Sequence, residues 1–189
     1  RITRLLAIGG VCLGAIVGLA LLRPTLLSRL TAFLDPFSAA NYLGLGWQPA
    51  HSRMALASGG VFGVGLGGSR QKWGNLGPEA HTDFIFAVIG EEIGLLGTTI
   101  VLAALFMIAW AGIKTAIATS DPFSRYAVAG VTTWIIAQSS INIGSVTGVF
   151  PVVGLPLPLV SYGGSALISS MVGLAFILGV ARREPEAKR

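Results

Sequence analysis

Four long apolar stretches dominate this chain, and they dictate its solvent. Residues 5–22 run without a charge between Arg1 and Arg4 on one side and Arg23 on the other. Residues 84–113, 126–148 and 161–181 form the other three. About 20 apolar residues, rising about 1.5 Å each, cross the hydrocarbon core of a bilayer. Each stretch therefore reads as a transmembrane helix, the first slightly short. A mean hydropathy of +0.76, with 53% hydrophobic and 11% charged residues, belongs to a protein whose surroundings are mostly lipid. The expected fold is an all-α integral membrane protein with four transmembrane helices in one membrane domain.

The segments between the spans set the orientation. With residues 114–125 and the tail 182–189 placed in the cytoplasm, Arg1, Arg4, Lys114, Arg125, Arg182, Arg183, Lys188 and Arg189 lie inside. Residues 149–160 then form an outer hairpin without charge, and 23–83 form a large extracytoplasmic loop, too long to count strongly in the rule. The net charge of +5 is thus explained by orientation, and no nucleic-acid partner is expected. A single cysteine, Cys12, excludes a disulfide framework or a cysteine-based zinc site within the chain. The chain opens at Arg1, and its first apolar run lacks an A-x-A-like exit, so a fragment or processed product is expected rather than a signal peptide.

Chemistry concentrates in residues 59–92. A glycine-rich loop leads to Arg70 and Lys72, then to Glu79, His81 and Asp83 within five residues, and runs into the second apolar stretch. Titratable groups crowded at the mouth of a span point to function. Gly63, Gly65 and Gly68 spell G-x-G-x-x-G, but a dinucleotide site needs a strand before and a helix after in a soluble βαβ unit. A backbone nest holding a phosphate-bearing ligand, helped by Arg70 and Lys72, is the better functional reading, against a plain flexible loop. Asp83 opens a helix, where a carboxylate can simply cap; beside Glu79, His81 and Lys72 it can instead act as a general base. A metal site on His51, His81, Asp83 or Glu79 ranks below a Mg²⁺ carried in by a phosphate substrate.

Other polar residues lie within the spans. Glu91 and Glu92 must face protein or water, either as partners of polar groups or along a path. Gln138 and Asn142, four apart, share a face directed into the bundle. Gly10, Gly14 and Gly18 make a packing ridge on the first span. Three prolines and a glycine pair prevent residues 149–165 from forming a regular helix.

Two regions carry a resemblance: SRQKWGNLGPEAHTDFIFAVIGEEIGLLG at 69–97 and GVFPVVGLPLPLVSYGGSA at 148–166. They are similar to the signature regions of the bacterial SEDS family, and resemble its cell-division, FtsW-like branch more than its elongation branch. The resemblance covers essentially the whole chain and implies the C-terminal four helices of a roughly ten-span bundle. It implies a plasma-membrane peptidoglycan glycosyltransferase that polymerises lipid II into glycan strands. The implied partners are a class B penicillin-binding protein and other division proteins. Asp83 matches the family's required aspartate and would deprotonate the acceptor hydroxyl in an inverting transfer. Arg70, Lys72, Glu79, His81, Ser161 and Tyr162 would bind substrate. No cofactor is called for, apart from a divalent cation, Mg²⁺ or Mn²⁺, as a candidate. The acidic residue that often follows QK in the division branch is absent, with Trp73-Gly74-Asn75 in its place, so a second loop carboxylate is either missing or replaced by Glu79. The family's first six spans have no counterpart, so inactivity of the isolated chain is expected. A lipid-linked precursor flippase with Glu91, Glu92, Gln138 and Asn142 along its path, and a membrane scaffold using the glycine ridge, are the competing functions.

Overall fold

The computed structural model describes residues 24–183, together with Gly10, Gly14 and Gly18. The expected first span and the tail after Arg183 lie outside the described residues, apart from those three helical glycines. An added Cβ at any of the three would meet nothing within 4 Å. The chain divides into two compact units, Arg1–Ala50 and His51–Arg189. All described regular structure is helical.

In the first unit, α1 (Pro24–Leu34) begins with proline in the first turn, where its missing N–H removes no helical bond. It ends at the Asp35-Pro36 turn, where Asn41 Nδ2 donates to the carbonyls of Asp35 at 2.9 Å and Thr31 at 3.3 Å. A single turn, α2 (Ala39–Tyr42), follows, and the Tyr42 and Trp47 rings meet at 5.5 Å. Helix α3 (Trp47–Gly59) carries the boundary between the units. Residues 24–83, expected as one long loop, thus hold three α-helices and a 3₁₀ turn.

The second unit holds the elements that matter for chemistry: a 3₁₀ turn (Gly77–His81), α4 (Ile85–Glu92), α5 (Gly94–Ala118), α6 (Pro122–Thr147) and α7 (Gly164–Arg183). The single span expected over 84–113 is broken. Gly94 sits at φ +73°, a left-handed conformation that ends α4 and starts α5. A helix break strands N–H and C=O groups, and the glycine-rich loop satisfies them. Val64 N and Gly65 N donate to the carbonyls of Glu91 (2.9 Å) and Glu92 (3.0 Å), while Leu95 N and Leu96 N donate to Gly60 O (2.9 Å) and Val61 O (3.3 Å). The glycines are there because backbone meets backbone: a Cβ on Gly94 would stand 2.6 Å from the Val61 oxygen.

Helices α5 and α6 are joined by a tighter connection than 114–125. Helix α5 continues to Ala118, and Asp121 caps α6 by accepting a 2.8 Å bond from Ser124 N, with Pro122 in its first turn. That bond holds the Asp121 carboxyl below the usual carboxylate range.

Helix α6 packs against both α5 and α7. Gly112 of α5 lies against Thr132, and Gly173 of α7 lies against Val131 and Trp134, so small residues let the backbones approach. Helices α5 and α7 are the two described helices long and apolar enough to cross a membrane. Helix α5, rising about 38 Å over its length, exposes Ile100, Phe106, Met107, Trp110, Ile113 and Ile117. Such a face suits lipid or a protein neighbour rather than water. At the other end of the unit Ala55, Leu76, Ala80, Phe84, Phe86, Val146 and Leu157 form a buried cluster around the start of α4.

The break makes a direct prediction. Gly94→Ala forces a Cβ into the left-handed region and into the Val61 carbonyl, and should lower stability by at least about 2 kcal/mol in detergent-solubilised denaturation. Gly130→Ala, on an open part of α6, should leave stability unchanged or raise it by about 0.5–1 kcal/mol.

Candidate active site

Asp83 lies between the 3₁₀ turn and α4. The N-cap of α4 is Phe84, and no side chain caps that helix. The carboxylate of Asp83 is thus not consumed in capping. Its turn is held from within by the Glu79 carbonyl, which accepts from Thr82 N, Asp83 N and Phe84 N at 3.0–3.1 Å.

From outside, three successive carbonyls of this turn are each taken by a donor from elsewhere in the unit. His81 O accepts from Tyr162 N at 2.9 Å, Thr82 O from Ser161 Oγ at 2.6 Å, and Asp83 O from Asn142 Nδ2 at 2.8 Å. Ser161 Oγ also accepts from Leu157 N at 2.6 Å, and Asn142 Nδ2 also donates to Leu155 O at 2.6 Å.

Asn142 stands on α6, and the segment that supplies the other two donors is the irregular hairpin between Gly148 and Gly163. It leaves α6 through Gly148 at φ +82°, folds Phe150 onto Gly144, and passes Leu159 at φ +65°. A left-handed leucine costs on the order of 1–2 kcal/mol, which the Leu157–Ser161 bonds help offset. With its prolines the hairpin cannot satisfy its own backbone, and a stripe of α6 does so. Gln138 Nε2 donates to Pro156 O at 2.8 Å, Asn142 to Leu155 O, and Ser145 Oγ to Pro151 O at 3.0 Å. These residues fall at i, i+4 and i+7, one face of a helix. The expectation that Gln138 and Asn142 share an inward face is met, and the structure adds what they hold.

Gly154 brings the hairpin onto the carboxylate. It has φ +73°, and a Cβ there would stand 3.3 Å from Asp83 Oδ2. Asp83 is accordingly part-buried. Desolvation and the neighbouring Glu79 charge push its carboxyl above the usual range, against a smaller lowering by hydrogen bonding with Thr82.

The candidate residues fall into two groups. Asp83, Glu79, His81, Ser161 and Tyr162 come together at the start of α4. The Ser161 side chain is buried and engaged by backbone groups, whereas the Tyr162 ring and His81 are exposed. Arg70 and Lys72 sit at the other end of α4, about 12 Å along its axis from Asp83. There the loop is anchored by Glu91, whose carboxylate accepts from Ser69 Oγ (2.5 Å), Arg70 N (3.0 Å) and Gln71 N (3.3 Å). Lys72 Nζ stands 3.5 Å from Glu92 Oε1 and 5.3 Å from the Trp73 ring centre. The two glutamates of the apolar stretch are loop anchors. The nest reading of the glycine loop is corrected here: Gly63 N, Val64 N, Gly65 N and Gly68 N all donate to backbone carbonyls, so those donors are not turned to a ligand. Arg70 keeps an exposed side chain. Among the described residues no three His, Cys, Asp or Glu side chains converge as metal ligands.

Sequence reasoning passed over Ser69, Thr82 and Gly154, and gave Asn142 a role only along the path of the flippase alternative. Only the glycine two residues before Pro156 offered a local signal; the rest act through contacts distant in sequence.

Comparison with known proteins converges on one group. A family model for FtsW, RodA and SpoVE, described as cell cycle protein, matches residues 1–186. Stage V sporulation protein E of Bacillus subtilis is 41% identical over 182 residues, covering 96% of this chain and 49% of that protein. A probable peptidoglycan glycosyltransferase FtsW of Tolumonas auensis is 42% identical over 183 residues, covering 95% and 47%. A solved chain, from work on structural coordination of polymerization and crosslinking by a peptidoglycan synthase complex, matches with a TM-score of 0.74 and 30% identity. That match covers 97% of this chain and 50% of the other. The chain spans about half the length of the curated relatives it matches.

The Glu91 anchor predicts a local effect. Glu91→Ala leaves the Ser69 hydroxyl and two loop N–H groups without their acceptor and should lower the opening free energy of residues 69–71 by about 1–3 kcal/mol. Glu91→Gln, which keeps one acceptor oxygen, should fall between. Amide hydrogen exchange of that segment is the measurement.

Proposed function

Because the chain belongs to the FtsW/RodA/SpoVE family, we propose that it supplies the catalytic aspartate of a peptidoglycan glycosyltransferase that polymerises lipid II during cell division. The relatives' names support the activity class, and the placement of Asp83 supports the assignment of the base. The observation that carries it is a carboxylate that caps no helix, stands on a turn whose three successive carbonyls are taken by outside donors, and lies against the hairpin glycine.

In this reading Asp83 accepts the proton of the acceptor sugar hydroxyl as that oxygen attacks the donor anomeric carbon. The glycosidic bond forms as the bond to undecaprenyl pyrophosphate breaks, and the anomeric centre inverts. A base with a carboxyl raised by burial is better matched to a proton transfer near neutral pH than an ordinary aspartate. Glu79, His81 and Tyr162 border the acceptor, Ser161 shapes the site through the backbone it holds, and Arg70 and Lys72 face the pyrophosphate. The protein lies in the bacterial plasma membrane with its C-terminus cytoplasmic, the Asp83 side outside, and a class B penicillin-binding protein as partner.

The flippase reading loses support. The polar residues it would place along a path, Glu91, Gln138 and Asn142, are bonded to the loop and the hairpin.

The test is glycan polymerisation from purified lipid II by the full-length protein reconstituted with its penicillin-binding partner. Asp83→Asn should lose at least about 100-fold in rate while still binding the partner. Polymerisation at wild-type rate by that variant would remove Asp83 from the chemistry.

Stability should move the other way. A carboxyl raised in the folded state favours folding most below its unfolded value, about 3.9, and this contribution is lost as pH rises through the folded value. Asp83→Asn should therefore melt higher than wild type at neutral pH, with the difference closing in acid.

A further inference from the structure

We propose that Asn142 is a positioning residue for the reaction: its side-chain amide ties the turn that carries Asp83 to the hairpin and so fixes where the carboxylate stands. The inference rests on the reading of Asp83 as the base. Three observations carry it.

Asn142 lies outside both segments it joins. From α6 its Nδ2 donates to Asp83 O at 2.8 Å and to Leu155 O at 2.6 Å, across 59 and 13 residues of sequence. Ser161 and Tyr162 also reach the Asp83 turn, but they belong to the hairpin's own end. Asn142 alone among these donors is mounted on a long helix. Leu155 is the neighbour of Gly154, and Gly154 is the residue against Asp83 Oδ2. One amide therefore fixes the carboxylate's own backbone and the backbone that closes over it.

The amide has one usable orientation. Turning it over would set Oδ1 against two carbonyl oxygens within hydrogen-bond distance, acceptor against acceptor. As placed, both donor contacts are made.

Packing does not account for an asparagine here. The side chain is 2% exposed, and its Oδ1 is buried without a hydrogen-bond partner. A buried unpartnered acceptor costs stability, and an apolar side chain of similar volume would avoid that cost. What the apolar side chain would lose is the donor pair.

The experiment uses the full-length protein with its penicillin-binding partner and compares wild type, Asp83→Asn, Asn142→Ala and Asn142→Ser. Asn142→Ala should lower kcat about 10- to 100-fold with KM for lipid II within about twofold, as expected when a reacting group is displaced and substrate binding is not. Its acid limb in the pH–rate profile should move to lower pH, because a loosened hairpin admits water to Asp83. Residues 85–90 of α4, 126–148 of α6 and 149–161 of the hairpin carry no charged side chain, so Glu79 and His81 on the Asp83 turn, Tyr162 at the hairpin's end and, farther off against Gly148, Arg53 of α3 are the charged or titratable groups to weigh. Amide exchange should rise together in residues 79–84 and 151–160. Asn142→Ser, with one donor on a shorter arm, should lie between wild type and Asn142→Ala in both melting temperature and kcat.

Wild-type kcat and an unmoved acid limb in folded Asn142→Ala would overturn the proposal. So would a loss of rate that follows only global melting, with exchange raised uniformly and Asn142→Ser fully active. If wild type makes no polymer, the glycosyltransferase reading fails separately. The paired rise in exchange, or its absence, then decides whether Asn142 holds the Asp83 turn to the hairpin.

Discussion

Three adjacent carbonyls, those of His81, Thr82 and Asp83, bind the two halves of the candidate site into one object. Each accepts a hydrogen bond from the hairpin or from the helix before it. A buried carbonyl left without a donor costs about 1–3 kcal/mol, so the turn cannot leave the hairpin without penalty. The dependence runs both ways. Prolines deny the hairpin any regular ladder, and its carbonyls at Pro151, Leu155 and Pro156 rely on Ser145, Asn142 and Gln138. A segment that looks irregular is held by one polar stripe on α6, by its own Leu157–Ser161 bonds and by the Asp83 turn.

The same accounting explains the carboxylates that interrupt the second apolar stretch. Buried charge near lipid is tolerated where donors converge on it. Glu91 gathers a hydroxyl and two N–H groups of the basic loop, and Glu92 meets Lys72. The helix break at Gly94 has a related logic. It separates a short helix that bears the site from a 25-residue helix long enough to cross a membrane, and the glycine-rich loop closes the gap with backbone bonds. Glycine was required because Cβ atoms at Gly63 and Gly94 would collide with main chain.

How much of this was legible in the sequence follows the range of the forces involved. Apolar runs locate α5, α6 and α7, because burial and lipid contact act residue by residue. The prolines and glycines of 148–166 announce a non-helical segment, and Asp83 stands out by its company. The break at Gly94 was not legible, since glycine is frequent in membrane helices and only the distant loop makes this one left-handed. Helices α1 and α3 were under-read because their apolar residues are interleaved with polar ones, without a spanning run. The roles of Ser69 and Asn142 depend on partners 13 to 59 residues away and leave no local pattern, and Gly154, although a glycine near proline, meets Asp83 across 71 residues.

The central claim is that the Asp83 carboxylate, held by those three carbonyl bonds, faces the acceptor sugar. The most direct measurement is an experimental structure of the full-length protein with a lipid II analogue in the acceptor position. The account predicts an Asp83 carboxylate oxygen within about 3.2 Å of the acceptor hydroxyl, with the Asn142 and Ser161 bonds intact. An acceptor hydroxyl bound beside a different base, with Asp83 still closed against Gly154 and out of reach, would contradict it.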